Sequence, residues 1–195
     1  MQAKFLALFA LTSIASVWAS PLEAGTICKG QVKVSEEYIG KDHNVKVEHV
    51  TCPDAVSLEP SSFQPPTSLE ARQATVNVCG APCTTNCFLP AGGGPDPNDC
   101  HVITDALKFA SENTGPTFTV GTGASLVPYN NTVIMSYLSC KTFFLNQDVN
   151  FLSYCRNDWA SLVDFVAFNC QSTQNAHGGN CVAADQRWFV QVQHT

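Results

Sequence analysis

The sequence predicts a disulfide-stabilised α+β sandwich, an antiparallel sheet with two helices on one face. Three observations predict it. The chain of 195 residues carries 10 cysteines, an even count, which in an oxidising compartment reads as a set of cross-links. Two stretches repeat apolar residues at helical spacing. Short runs rich in β-branched and aromatic residues are grouped between those stretches and after them, and strands gathered between two helices favour an antiparallel sheet with both helices on one side.

The first strand candidates are Gln31–Ser35 and Asn44–Val50, where apolar and polar residues alternate as on a half-exposed strand. The two can form a hairpin bridged by Cys28 and Cys52, a small lobe too slight for a stable core of its own. Ala74–Val78 is a third short strand. Gly80–Asp96, with Gly92-Gly93-Gly94-Pro95, reads as a loop held by cross-links. Asn98-Asp99 is placed to cap a helix whose inner stripe is Val102, Ile103, Ala106, Leu107 and Ala110. Gly115-Pro116 ends it. Thr117–Val120, Thr132–Ser139 and Lys141–Leu145 read as strands. Asn157-Asp158 is placed to cap a second helix with Trp159, Leu162, Val163, Val166 and Cys170 on its inner face. A polar loop, Gln171–Asn180, precedes a last strand, Arg187–Val192.

The N-terminal residues have the pattern of a secretory signal. Lys4 precedes an apolar run from Phe5 to Val17, and Val17-Trp18-Ala19 supplies the small or branched residues that signal peptidase accepts, so cleavage is expected after Ala19. The run is shorter than the roughly 20 residues a membrane span needs, and no other stretch approaches that length. Residues 20–72 read as a pro-region. Its end, Glu59–Gln73, is Pro-rich and extended and contains Leu69-Glu70-Ala71-Arg72, which resembles the pro-peptide ends of fungal secreted proteins and implies a cut after Arg72 by a kexin-type or related protease. The alternative is a plain linker between two ordered parts. Residues 73–195 form the cysteine-rich domain.

That domain holds Cys79, Cys83, Cys87, Cys100, Cys140, Cys155, Cys170 and Cys181. Eight cysteines allow on the order of 100 pairings, and the sequence does not choose among them. The spacing of Cys79, Cys83 and Cys87 differs from the two-residue gaps usual in zinc knuckles, so disulfides are expected, with no metal and no cofactor. Hydrophobic residues make up 45% of the chain and charged residues 13%, too apolar for a disordered protein. The net charge of −6 and the absence of Lys/Arg clusters argue against a nucleic-acid partner.

Candidate chemistry is sparse. The triple glycine lacks the Gly-Lys-Ser/Thr ending of a phosphate loop. His177, in a polar loop with Gly178-Gly179, is one candidate general base, to be paired with Asp158, Asp164 or Asp185. His101 and His194 are the other histidines beyond Arg72. Asp96 with Asp99, or Asp158 with Asp164, could serve as an acid pair for sugar cleavage, although Asp99 and Asp158 are equally explained by their places near helix N-termini. No nucleophile motif accompanies any of these residues, and no catalytic residue is assigned. Asn130-Asn131-Thr132 is an N-glycosylation sequon with Asn130 as acceptor. Tyr129, Trp159 and Trp188 can belong to a carbohydrate-facing surface, but Trp159 and Trp188 fall on apolar faces and read first as core.

Asp99-Cys100, Ile103, Ala106-Leu107, Phe118-Thr119-Val120 and Ser139-Cys140-Lys141-Thr142-Phe143-Phe144, followed by Trp159, Val163, Cys170, Gly178-Gly179-Asn180-Cys181 and Arg187-Trp188, resemble the domain of the fungal extracellular necrosis-inducing effectors. The resemblance covers roughly Asp99 to Val192 and rests mainly on cysteines and core positions. It implies a secreted fungal protein of α/β sandwich shape related to killer toxins, some of whose relatives provoke plant cell death or act against microbes. Two main functional readings follow. One is an effector or toxin-like protein that binds a surface component of a host or microbial cell, glycan included. The other is a secreted hydrolase acting on cell-wall glycan. A structural wall protein is a weaker third.

Overall fold

The structure is a computed structural model that describes residues 26–53, 75–89, 92–122 and 130–195. The expected cleavage points at Ala19 and Arg72, the Pro-rich stretch and Tyr129 lie outside the described residues. Ten strands and two helices follow in the order β1 (Val32–Ile39), β2 (Val45–Thr51), β3 (Thr75–Asn77), β4 (Cys83–Cys87), α1 (Pro97–Asn113), β5 (Thr117–Val120), β6 (Thr132–Tyr137), β7 (Cys140–Asn146), β8 (Phe151–Cys155), α2 (Arg156–Val166), β9 (Gly178–Ala183) and β10 (Trp188–His194). A π-helical segment, Ala167–Thr173, continues α2.

Seven strands form one antiparallel sheet in the order β1-β2-β6-β7-β10-β9-β4, and β3-β8-β5 form a second, small sheet. In the small sheet β5 runs antiparallel to β8, and β3 is parallel to it. Both helices pack on one face of the large sheet. Ile103 and Leu107 of α1 and Val163 and Val166 of α2 share a core with Val47, Val133, Met135, Phe144, Val190 and Val192. The opposite face carries a lesser cluster of Val50, Ile134, Phe143 and Leu145, with Ile27 and Phe189 against it. With both faces covered, every residue of β7 is buried, Lys141 included. Burial lowers the Lys141 pKa, and the charge of Glu48 partly opposes that shift.

The antiparallel sheet with two helices on one face is thus the fold, and its strands outnumber those legible in sequence. The hairpin expected over Gln31–Val50 is present with its Cys28–Cys52 bond, and it adds to the large sheet, with β2 hydrogen-bonded to β6 and Val45, Val47 and Val50 buried. The segment Gly80–Asp96, expected as a loop, contains edge strand β4. The expected polar loop Gln171–Asn180 contains the end of the π-helical segment and the start of β9. Helix capping also differs. Asp96 caps α1, accepting from the Asn98 N–H at 2.8 Å, with Pro97 opening the helix. Asp99 lies inside the first turn and binds Ser139 instead, accepting from its hydroxyl at 2.6 Å and its N–H at 3.1 Å. Cys155 occupies the N-cap of α2 with no side-chain capping bond.

The two sheets are joined by aromatic rings. Phe118 and Tyr154, from the small sheet, meet Phe144 and Trp188, from the large one, and Trp159, from α2. Phe144 stacks on Trp188 at 5.5 Å and lies 4.8 Å from Tyr154, and Phe118 lies 5.2 Å from Trp159. Trp159 Nε1 donates to Thr142 Oγ1 at 3.1 Å, whereas Trp188 Nε1 is buried with no hydrogen-bond partner among the described residues. Trp188→Ala is expected to unfold the domain, since losing a buried aromatic costs about 3–5 kcal/mol. Trp188→Phe is expected to melt above Trp159→Phe. Only the second substitution gives up a hydrogen bond, worth about 1 kcal/mol. Thermal melts by circular dichroism order the three variants, and Trp159→Phe melting above Trp188→Phe would contradict the assignment.

Candidate functional site

All ten cysteines are bonded, as Cys28–Cys52, Cys79–Cys155, Cys83–Cys181, Cys87–Cys170 and Cys100–Cys140. The clustered Cys79, Cys83 and Cys87 therefore reach three different partners. Cys79, Cys155 and Asp158 lie close enough to suggest a metal site, but the two sulfurs are bonded to each other and offer no thiolate ligand.

The structure separates His177 from each of the carboxylates expected beside it. His177 Nδ1 donates to the carbonyl of Gly92 at 3.1 Å. Asp158 accepts from the N–H of Gly80 at 2.7 Å, and Asp185 pairs with Arg187 Nε at 2.8 Å. Asp164 faces α1, where His101 is its partner. His101 Nδ1 lies 3.0 Å from one carboxylate oxygen and 3.2 Å from the other. Thr104, one turn beyond His101, donates to the same carboxylate or to the Ala160 carbonyl, at 3.0 and 3.1 Å. Asp105 lies 3.8 Å from the other ring nitrogen, His101 Nε2.

The pair is a histidine between two carboxylates on a half-exposed helix surface. The hydroxyl bonded to this carboxylate, that of Thr104, is buried and donates within the helix pair, so it is not free to attack a substrate. The arrangement ties α1 to α2. The acid pairs are engaged in the same way, with Asp96 on its helix cap, Asp99 on Ser139, Asp158 on Gly80 and Asp164 on His101.

At the sequon, Asn130 is half-buried, and its Nδ2 lies 2.9 Å from His49 Nδ1. A glycan there replaces one of the two amide hydrogens and leaves the other for His49. Asn131 is buried and brackets Cys52, accepting from its N–H at 2.7 Å and donating to its carbonyl at 2.9 Å.

What the surface does offer is apolar. Phe109, Phe165 and Phe168 are exposed on the helical layer, the last two at 53% and 44%. Phe165 and Leu162 line an open cleft of about 410 Å³ whose other walls include Gly80, Ala81, Tyr154 and Asp158. Burial, and secondarily the charge of Asp158, raise the Tyr154 pKa, so its phenol stays neutral at physiological pH. The sequence carried a signal for two of these three phenylalanines. Phe165 and Phe168 fall off the stripe of Trp159, Val163 and Val166 that α2 buries. Trp159 and Trp188, by contrast, are core residues and present no surface.

No family model matches the chain, and no curated protein does. The functional case therefore rests on the residues themselves.

His101→Ala is expected to act as a modest stability change only. A partly exposed pair is worth about 0.2–1 kcal/mol, a drop in melting temperature of at most about 4 °C for a domain of this size. Scanning fluorimetry reads it, and a loss above 10 °C would give the pair a larger role than its exposure allows.

Proposed function

We propose that the protein is a secreted effector or toxin-like molecule that acts outside the cell by binding a surface or wall component. One observation supports this reading best. The acids and bases that could do chemistry are tied into the fold, while large apolar side chains remain exposed on a cross-linked scaffold. Exposed aromatics on a rigid surface are the usual anchors of an interface, because little conformational entropy is lost when they dock. The N-terminal apolar segment and the five disulfides support secretion, and among the described residues no helix is long and apolar enough to cross a membrane. The resemblance to fungal necrosis-inducing effectors supports a fungal source and a target on a plant or microbial cell. The processing reading belongs to the same proposal, with a pro-region ending at Arg72.

Purified oxidised protein, infiltrated into leaves and added to microbial cultures beside a reduced and alkylated control, tests the reading. Phe165→Ser with Phe168→Ser is expected to lower activity by about 30-fold or more, the loss typical of interface hot spots, with an unchanged melting temperature. His101→Ala and His177→Ala are expected to stay within a few-fold. A loss of about 10²–10⁴ in either histidine variant, with an intact spectrum, is what removal of a general base gives, and it would turn the assignment to a hydrolase. Mass spectrometry of the secreted form is expected to find an N-terminus at Gln73, and a dominant species beginning near Ser20 would remove the processing reading.

A further inference from the structure

The cross-links divide the chain in two. Cys28–Cys52 closes within residues 26–53, and the other four bonds all join residues between Cys79 and Cys181. With all ten cysteines used, no disulfide connects the hairpin to the rest of the protein. Only the peptide chain through residues 54–74 does so covalently.

The two parts nevertheless share one sheet. β2 pairs antiparallel with β6 from Lys46↔Ser136 to Val50↔Thr132. Val45 and Val47 enter the main core. The buried carboxamide of Asn131 makes both of its bonds to Cys52 with the backbone, one to the N–H and one to the carbonyl. That contact reads an extended main chain and is indifferent to side-chain identity, as in the addition of a strand to a sheet edge. The seam also has open places. A cavity of about 90 Å³ lies between Ile39, Val47 and His49 of the hairpin and Phe118, Val133 and Met135 of the body. An open cleft of about 470 Å³ lies between the turn at Gly40–Asn44 and α1, although Gly40 itself packs against α1, where a Cβ on it would lie 3.0 Å from the Ala106 Cβ. The outer strand β1 is exposed along nearly all its length, so β2 makes most of the attachment.

We propose that the edge of β6, with Asn131 at its end, is a strand-binding site, and that residues 26–53 are its removable occupant. Once the chain is cut between Pro53 and Thr75, the hairpin is held by strand pairing and side-chain burial alone. The site accepts an extended segment that turns alternate apolar residues inward, as Val45 and Val47 do. The inference rests on the processing reading only for the moment at which the cell makes the cut. The test makes the cut itself, so the two can fail separately.

The full-length oxidised protein, with residues 61–67 replaced by the site of a sequence-specific protease, is cut to completion. Two fragments are expected on a non-reducing denaturing gel and a single co-eluting species on native size exclusion. Excess fluorescent oxidised peptide 26–53 is then expected to enter the body peak and displace the original segment mole for mole. The uncut protein should take up none. A peptide with Val45→Ser and Val47→Ser should be taken up at least about tenfold less, since each valine loses its burial energy. Fragments that stay joined without reductant overturn the proposal. So do exclusion of the labelled peptide from the cut protein, loss of the body from solution without uptake, and equal uptake of the serine peptide.

Discussion

Phe144 sits where the two sheets and α2 meet, and the placement of the other elements follows from it. It is fully buried and touches Phe118, Tyr154, Trp159 and Trp188. The small sheet has strands of three, four and five residues, too short to enclose a core of their own, and these rings pack it against the large sheet. Because α2 begins at the residue after β8, fixing β8 also fixes the start of α2. Arg156, the first residue of α2, secures the junction. Its guanidinium donates to the carbonyls of Gly115, at 2.7 Å, and Thr117, and its centre lies 5.8 Å from the Phe118 ring. Burial lowers its pKa, and the carbonyl contacts satisfy donors that would otherwise lose water without replacement.

The disulfides act where packing is weakest. β4 reads Cys-Thr-Thr-Asn-Cys and has few apolar residues to bury. Its two ends are instead bonded to β9 through Cys83–Cys181 and to the π-helical segment through Cys87–Cys170. The second bond brings the Cys170 sulfur so near the β9 backbone that a Cβ on Gly179 would lie 2.8 Å from it, and 2.8 Å from the Asn86 carbonyl. The glycine pair that suggests a flexible loop in the sequence is therefore a close-packing requirement inside a strand.

Legibility in the sequence follows the same physics. Elements with an apolar pattern set off by turn residues or charge were readable, namely β1, β2, β3, β5, β6, β7, β10 and the inner faces of both helices. Ile103, Leu107, Trp159, Val163 and Trp188 fall in the core as their spacing requires. β4 and β9 were hidden because cross-links and backbone proximity stabilise them in place of side-chain alternation. β8 carries a faint alternation, with Leu152 and Tyr154 inward, and runs into α2 with no turn residue to set it off. The cysteine pairing could not be read, since it depends on which strands become neighbours. For the same reason the sequence suggested His177 as a base, whereas the partner of Asp164 is His101, brought to it by the packing of α1 against α2. Loop context indicates exposure and says nothing of what lies across a helix interface.

The large sheet has two edges, and each is built against unwanted pairing. An exposed, flat, apolar edge strand invites association with other chains. β4 is short, polar and bonded at both ends. At the other edge, β1 breaks register between Lys33 and Ser35 and carries charge. Lys33 lies 2.8 Å from Glu36, Lys46 lies 3.0 Å from Glu48, and Lys33 and Lys46 hold the Glu36 carboxyl below its usual pKa. β6 has none of these features. Its residues from Thr132 to Met135 are buried, and it carries no charge. Such a strand is tolerable only while β2 covers it, so the hairpin both completes the core and guards an edge the body cannot protect itself. The hairpin carries the charged edge and the register break, the cross-links lie inside each part, and the only covalent connection between the parts is a stretch of chain containing Arg72. A chain arranged in this way is protected while whole and, once cut, can expose a strand that readily pairs with another.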